Sequence, residues 1–239
     1  MIGVATSAPE IFVSIESALQ NNTILAIGNG IGSNISNIAL VFCVSILFIK
    51  KDSIYSDIPI RPYISMIVLA ITLFLLIFFD SYFDIYDSML LVTIFFLSLY
   101  FFISSDNNEA KTSENKKSLL MIISLSVLAL SMLIYGSNLF ITGATDIALF
   151  FGVSSYVIGL TLTALGTSLP ELAANIQSAR KGYHDFIIGN IIGSNIFNIA
   201  IAMSLAGFIS ATSVNINDFV RDMLILALSM LIFYFIVMS

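Results

Sequence analysis

The chain has 239 residues, 58% hydrophobic and only 10% charged, with a mean hydropathy of +1.02. A soluble domain carries about a quarter of its residues as charges, so a water-facing globular fold is excluded and an all-α integral membrane protein is expected. The net charge of −6 is uninformative about partners, because most acidic residues fall in short connections between apolar runs.

Taken in chain order, the runs 17–49, 63–79, 88–105, 118–145, 147–170 and 186–217 contain no Asp, Glu, Lys or Arg, and 223–239 adds another. Most reach the ~17–25 residues that a spanning helix needs. Cys43, the single cysteine, has no intrachain disulfide partner and sits in an apolar run, which predicts a core position. Met1 opens directly onto the first motif, without the charged leader of a signal peptide.

If the spans alternate, the connections 50–61, 106–117 and 180–185 share one side and hold eight of the nine Lys and Arg residues. The opposite connections, around 20–23, 80–87 and 146–152, hold none, and Arg221 opens the final span there. Positive charge stays inside, so the first side is predicted to be cytoplasmic and the chain to be a multi-pass protein of the plasma (inner) membrane.

An internal repeat organises the whole. Thr6-Ser7-Ala8-Pro9-Glu10 returns 161 residues later as Thr167-Ser168-Leu169-Pro170-Glu171, and the match runs without a gap to Ala39 and Ala200. The Glu10 segment ends at 20–23 and the Glu171 segment at 180–185, on opposite sides, so the copies are expected to form an inverted-topology repeat transporter. The expected organisation is a first repeat over 1–105, a polar cytoplasmic linker over 106–117 and a second repeat over 118–239. Spans present in one copy lack counterparts in the other, which predicts about eight of ten transmembrane helices, truncated at both ends. A protein of eight spans with divergent ends is the alternative.

Glu10 and Glu171 lie deep in apolar sequence, where an ionised carboxylate costs several kcal/mol unless paired or solvated. No Lys or Arg stands at membrane depth to pair with them, so a bound cation is the economical partner. Pro9 and Pro170 each remove an amide donor and break the helix one turn earlier, which predicts freed carbonyls near Gly3 and Ala5, and near Ala164 and Gly166. The hydroxyls of Thr6, Ser7, Thr167 and Ser168 stand beside them. An oxygen-only donor set suits hard cations such as Ca²⁺ and Na⁺. Asn29, Ser33 and Asn37, and likewise Asn190, Ser194 and Asn198, fall at i, i+4 and i+8, so each trio lines one stripe of a helix. Gly28/Gly32 and Gly189/Gly193 form GxxxG faces, and packing with amide glue is the simpler reading of one copy alone. Duplication of both blocks favours an ion site.

The residues 166–171 (Gly-Thr-Ser-Leu-Pro-Glu) and 189–198 (Gly-Asn-Ile-Ile-Gly-Ser-Asn-Ile-Phe-Asn), with their weaker copy at 5–10 and 28–37, resemble the paired alpha-repeats of the sodium/calcium exchanger family. The resemblance implies a secondary antiporter exchanging Ca²⁺ for Na⁺ by alternating access. It implies that Glu10 and Glu171 are shared by the Ca²⁺ and Na⁺ sites, and that Thr6 and Thr167 offer backbone carbonyls to Ca²⁺. Gly3, Ser7, Ser33, Ala164, Ser168 and Ser194 would complete Na⁺ sites, with Asn37 and Asn198 flanking the centre. Some members carry Asp at the Asn198 position, notably many potassium-dependent exchangers, so the amide weakens the case for K⁺ cotransport.

A Ca²⁺/H⁺ or other cation/H⁺ antiporter, a passive cation channel and a non-functional fragment are the alternatives. Enzymatic activity has no support, since neither a His-based triad nor a phosphate loop is present. No cofactor is expected beyond the transported ions, and membrane lipids are the only other partner inferred, with no nucleic acid. His184 is expected in a solvated loop, Glu16 in the non-cytoplasmic vestibule, and Asp80, Asp84 and Asp87 in a solvated acidic loop.

Overall fold

The structure, a computed structural model, describes residues 6–49, 59–103, 150–238 and single positions and pairs between 124 and 148. Gly3, Ala5, the lysines at 50, 51, 111, 116 and 117, the linker 106–117 and most of the run 118–145 lie outside the described residues; the described positions within that run are helical.

The first copy comprises α1 (Ala8–Leu19), α2 (Thr23–Ile46), α3 (Ile60–Asp80), a short strand β1 (Tyr82–Phe83) and α4 (Ile85–Ile103). The second contributes α5 (155–167), α6 (Leu169–Lys181), α7 (His184–Ile209), β2 (Thr212–Ser213) and α8 (Ile216–Met238). Six continuous helical stretches of the described residues, α5 running on into α6, are long and apolar enough to cross a membrane. The fold is all-α apart from the two-residue ladder between β1 and β2.

The backbone repeats its conformation as faithfully as the sequence repeats its motifs. Ser7 precedes α1 at φ −82°, ψ 11°, and Ser168 precedes α6 at φ −80°, ψ 0°. Asn21 and Gly182, the next repeat mates along the chain, both turn through positive φ (57° and 79°) to end those helices. Within α2 a π-helical turn covers Asn37–Phe42, and within α7 its mate covers Asn198–Met203.

Burial sorts the helices. α2 and α7 are mostly enclosed, whereas α4 exposes nearly its whole length. α3 buries Met66, Leu69, Leu73 and Ile77 but presents Ile64, Val68, Ile71 and Leu75 outward at helical spacing. An outward stripe as apolar as the inward one is what hydrocarbon requires. Hydroxyls on the outer spans fold back onto their own helix: Thr72 donates to the Val68 carbonyl at 2.8 Å and Thr93 to that of Met89 at 2.7 Å.

Contacts between helix ends define two faces. The β1–β2 pairing, the Thr23 hydroxyl donating to the Ser210 carbonyl at 2.8 Å and Asn22 donating to Ser155 at 3.3 Å gather one set of connections. At the other end of α2, Phe48 lies 5.0 Å under the Arg180 guanidinium at the end of α6.

Several expectations are corrected. The helix of the charge-free run 147–170 starts at Ser155, as expected from about Ser154, but continues past Pro170 to Lys181. The final helix starts at Ile216, so it contains Arg221, paired with Asp222 at 2.8 Å and Asp218 at 3.3 Å. Cys43 is exposed rather than in the core, because apolar sequence does not distinguish a lipid-facing from a protein-facing position. His184 opens α7 half-buried beside Phe42, Ile46 and Ile49 instead of standing in a loop.

Candidate ion-binding site

Glu10 and Glu171 stand in the first turns of α1 and α6 and are 0% and 1% exposed. Helices restart here because proline at the second position supplies the fixed φ of a first turn and has no N–H to satisfy. The same proline denies the preceding helix a donor. Pro170 has none to offer Gly166, four residues earlier. Ala164 differs from the expectation: its carbonyl accepts the Ser168 N–H at 3.1 Å. The reason is register, since Ala164 stands four residues before Ser168, which has an amide proton.

The repeat halves interlock at the carboxylates. Ser7, one turn before Glu10, donates to Glu171 Oε1 at 3.1 Å, and Ser194 of α7 donates to the same oxygen at 3.4 Å. Among the described residues, Glu171 Oε2 and both carboxylate oxygens of Glu10 are buried without a hydrogen-bond partner, as is the Ser168 hydroxyl. Among the described residues the ion pairs all belong to Arg221, so neither glutamate has a cationic side chain. Unpartnered acceptors in a dry site carry a large desolvation penalty, which a cation offsets.

Around them the hydroxyl and amide groups pair across the repeat. Thr167 Oγ1 lies 3.1 Å from Ser33 Oγ and 3.2 Å from Asn29 Oδ1, while its mate Thr6 donates to Asn190 Oδ1 at 3.5 Å. Unlike the outer-span hydroxyls, Ser7, Ser33 and Ser194 reach other side chains. Asn37 and Asn198 are fully buried at the start of the π-helical turns, a distortion that recurs at functional sites. Each donates its amide to the opposite helix, at 3.0 Å to Asn195 and Asn34 respectively, and leaves Oδ1 without a partner among the described residues.

Ten of the twelve sequence-predicted ligands (Thr6, Ser7, Glu10, Ser33, Asn37, Thr167, Ser168, Glu171, Ser194 and Asn198) are thus buried polar groups of this region. Ala164 is buried on α5 with a carbonyl that accepts from both the Ser168 N–H and the Thr167 hydroxyl, and Gly3 lies outside the described residues. Sequence reasoning did not single out Asn34 and Asn195, whose signal was available in their identical repeat positions. Asn175, which accepts from Asn190 at 3.0 Å, carried no such signal, because its mate is Ser14.

Close approach of α5 to α2 explains the first glycine pair. A Cβ on Gly28 would strike the Tyr156 carbonyl, one on Gly32 the Leu160 carbonyl, and one on Gly159 the Leu25 carbonyl. The second pair departs from expectation: among the described residues nothing lies within 4 Å of a Cβ built on Gly189 or Gly193. The first face is filled by α5, and no described segment fills the second.

The family model described as sodium/calcium exchanger protein matches residues 1–104 and 121–239. The chain belongs to the sodium/calcium exchanger family. Family membership makes it a multi-pass membrane transporter rather than an enzyme. Inner membrane protein YrbG of Escherichia coli K12 is 31% identical over 245 residues, covering 98% of this chain and 75% of its own length. Sodium/calcium exchanger MaX1 of Methanosarcina acetivorans is 40% identical over 108 residues, 45% of this chain and 31% of that protein. Among solved structures, the sodium-calcium exchanger NCX_Mj soaked with Na⁺ and Sr²⁺ superposes with a TM-score of 0.75 at 29% identity, covering 98% of this chain and 76% of that one.

Proposed function

We propose that this chain exports Ca²⁺ in exchange for Na⁺ by alternating access at one buried site. The observation that carries the reading is the pair Glu10 and Glu171, both buried on matching helix breaks, with Ser7 of the Glu10 segment donating to Glu171 and, among the described residues, no basic partner for either. Ca²⁺ takes both carboxylates together with carbonyl oxygens of Thr6 and Thr167. Na⁺ ions take the same carboxylates with Ser7, Ser33, Ser168 and Ser194 and with carbonyls of Gly3 and Ala164, while Asn37 and Asn198 flank the centre. The Ala164 carbonyl accepts from the Ser168 N–H at 3.1 Å and the Thr167 hydroxyl at 3.3 Å; with two lone pairs, it is open to an ion once Thr167 turns its proton to Asn29 Oδ1, 3.2 Å away.

The two copies, residues 1–105 and 118–239 joined by a cytoplasmic linker at 106–117, cross the membrane in opposite senses in this reading. Its support is the eight-to-one split of basic residues and the opposite faces at which α1 and α6 end. The reciprocal contacts of the Asn34 and Asn195 positions add to it, since residue i meeting j while j meets i is the mark of a two-fold axis. The setting is the plasma (inner) membrane, with the basic connections cytoplasmic.

Two carboxylates leave a Ca²⁺-loaded site near neutral and a site loaded with three Na⁺, the number implied by family resemblance, with one excess charge. Moving one charge through 100 mV is worth about 2.3 kcal/mol, so exchange is electrogenic. Ca²⁺ flux in proteoliposomes under a clamped potential tests this. Na⁺-dependent, saturable, voltage-sensitive flux supports the proposal. Voltage-independent flux driven by a proton gradient assigns a Ca²⁺/H⁺ antiporter, and non-saturable flux needing no trans ion assigns a channel.

A further inference from the structure

We infer that Asn34 and Asn195 are positioning residues that decide which end of the Asn198 and Asn37 amides faces the ion. The inference rests on the ligand role proposed for Asn37 and Asn198. An amide side chain has an oxygen that only accepts and an NH₂ that only donates, and a backbone carbonyl only accepts. Asn34 Nδ2 lies 3.2 Å from the Asn195 carbonyl oxygen, so the amino end of Asn34 has to face it. Asn34 Oδ1 is thereby turned toward Asn198, 3.0 Å away. Oxygen against oxygen would repel, so Asn198 offers Nδ2 and turns Oδ1 away. The second half repeats the chain of constraint. Asn195 Nδ2 lies 3.3 Å from the Asn34 carbonyl, and Asn195 Oδ1 accepts Nδ2 of Asn37 at 3.0 Å.

What remains are two buried amide oxygens, on Asn37 and Asn198, with no hydrogen-bond partner among the described residues. They sit one turn beyond Ser33, which meets the Thr167 hydroxyl, and Ser194, which donates to Glu171, on the same helix stripes. All four asparagines are fully buried, so bulk water does not compete for these bonds. A cation at the centre meets carbonyl dipoles with the negative end inward. A reversed amide would present NH₂ and repel it.

The test is equilibrium binding of radiolabelled Ca²⁺ to the purified chain. Asn34→Ala weakens binding by about tenfold or more, the usual effect of losing a group that orients a metal ligand. The decisive comparison is an Asn198→Asp background. A carboxylate presents oxygen however it rotates and needs no orienting acceptor, so Asn34→Ala there changes affinity by less than about twofold, a strongly non-additive pair. Equal losses in both backgrounds would mean that Asn34 merely supports packing and would overturn the inference. Asn195→Ala in wild-type and Asn37→Asp backgrounds repeats the experiment in the other half if the first variants misfold. Failure of both halves to fold assigns the clamp to structure alone and also overturns it. Asn37→Ala and Asn198→Ala separate the two levels. If they leave Ca²⁺ binding unchanged, the ligand reading fails; if they weaken it while Asn34→Ala and Asn195→Ala do not, only this inference fails.

Discussion

Glu171→Gln isolates a single charge at the centre of the site. The amide keeps the side chain's length, and its oxygen still accepts the Ser7 and Ser194 hydroxyls that now lie at 3.1 and 3.4 Å. Helix packing therefore survives. At about 4 Å and an effective dielectric of about 20, unit charges attract by about 4 kcal/mol, so a divalent cation forfeits about 8 kcal/mol of attraction. Burying the carboxylate carries its own desolvation cost; if removing that cost returns half, about 4 kcal/mol remains, close to a thousandfold in affinity. Glu10→Gln has an effect of the same order. Calcium binding and thermal melting of the same samples are the assay. Both variants are expected to lose Ca²⁺ binding by two to three decades at an unchanged melting midpoint. Binding within about threefold of wild type in either variant refutes the reasoning.

Three further outcomes are expected. In a Cys43→Ser background, needed because that thiol is exposed, cysteines at Lys116 and Lys181 react with impermeant reagents only from the cytoplasmic side. Those at Asn22 and Asp84 react only from outside, and labelling of any position from the wrong side contradicts opposed repeats. Asn198→Asp raises the pH sensitivity of Ca²⁺ binding above that of the wild type: an acid form can still donate to Asn34 Oδ1, now 3.0 Å from the amide, while the ionised form cannot and adds a third negative charge. Superimposable wild-type and variant pH profiles contradict this. Gly28→Ala drives a methyl into the Tyr156 carbonyl and within 3.0 Å of the Leu160 amide, so it destabilises by about 1–3 kcal/mol, read as a lowered melting temperature. An unchanged midpoint means that α2 and α5 are not held at this separation.

Composition determined the solvent of this protein, and the repeat determined where its chemistry lies. Pro9-Glu10 and Pro170-Glu171 mark helix breaks because proline acts on its own backbone, whatever surrounds it. For the same local reason the matching turns at Asn21 and Gly182 follow from equal repeat positions. Helix limits were less legible. In hydrocarbon an outward residue is as apolar as an inward one, so α3 carries no polar stripe to show its face and Cys43 no sign that it is exposed. Charge-free runs likewise bounded the spans poorly, since α8 takes the ion-paired Asp218, Arg221 and Asp222 into its first turns. The asparagine clamp belongs to tertiary structure alone. Asn34 and Asn195 lie 161 residues apart, and only the crossing of α2 over α7 brings each amide to the other's backbone carbonyl. The unequal fates of Gly28/Gly32 and Gly189/Gly193 have the same origin: a motif specifies a smooth face, and what packs on that face is set by the rest of the fold.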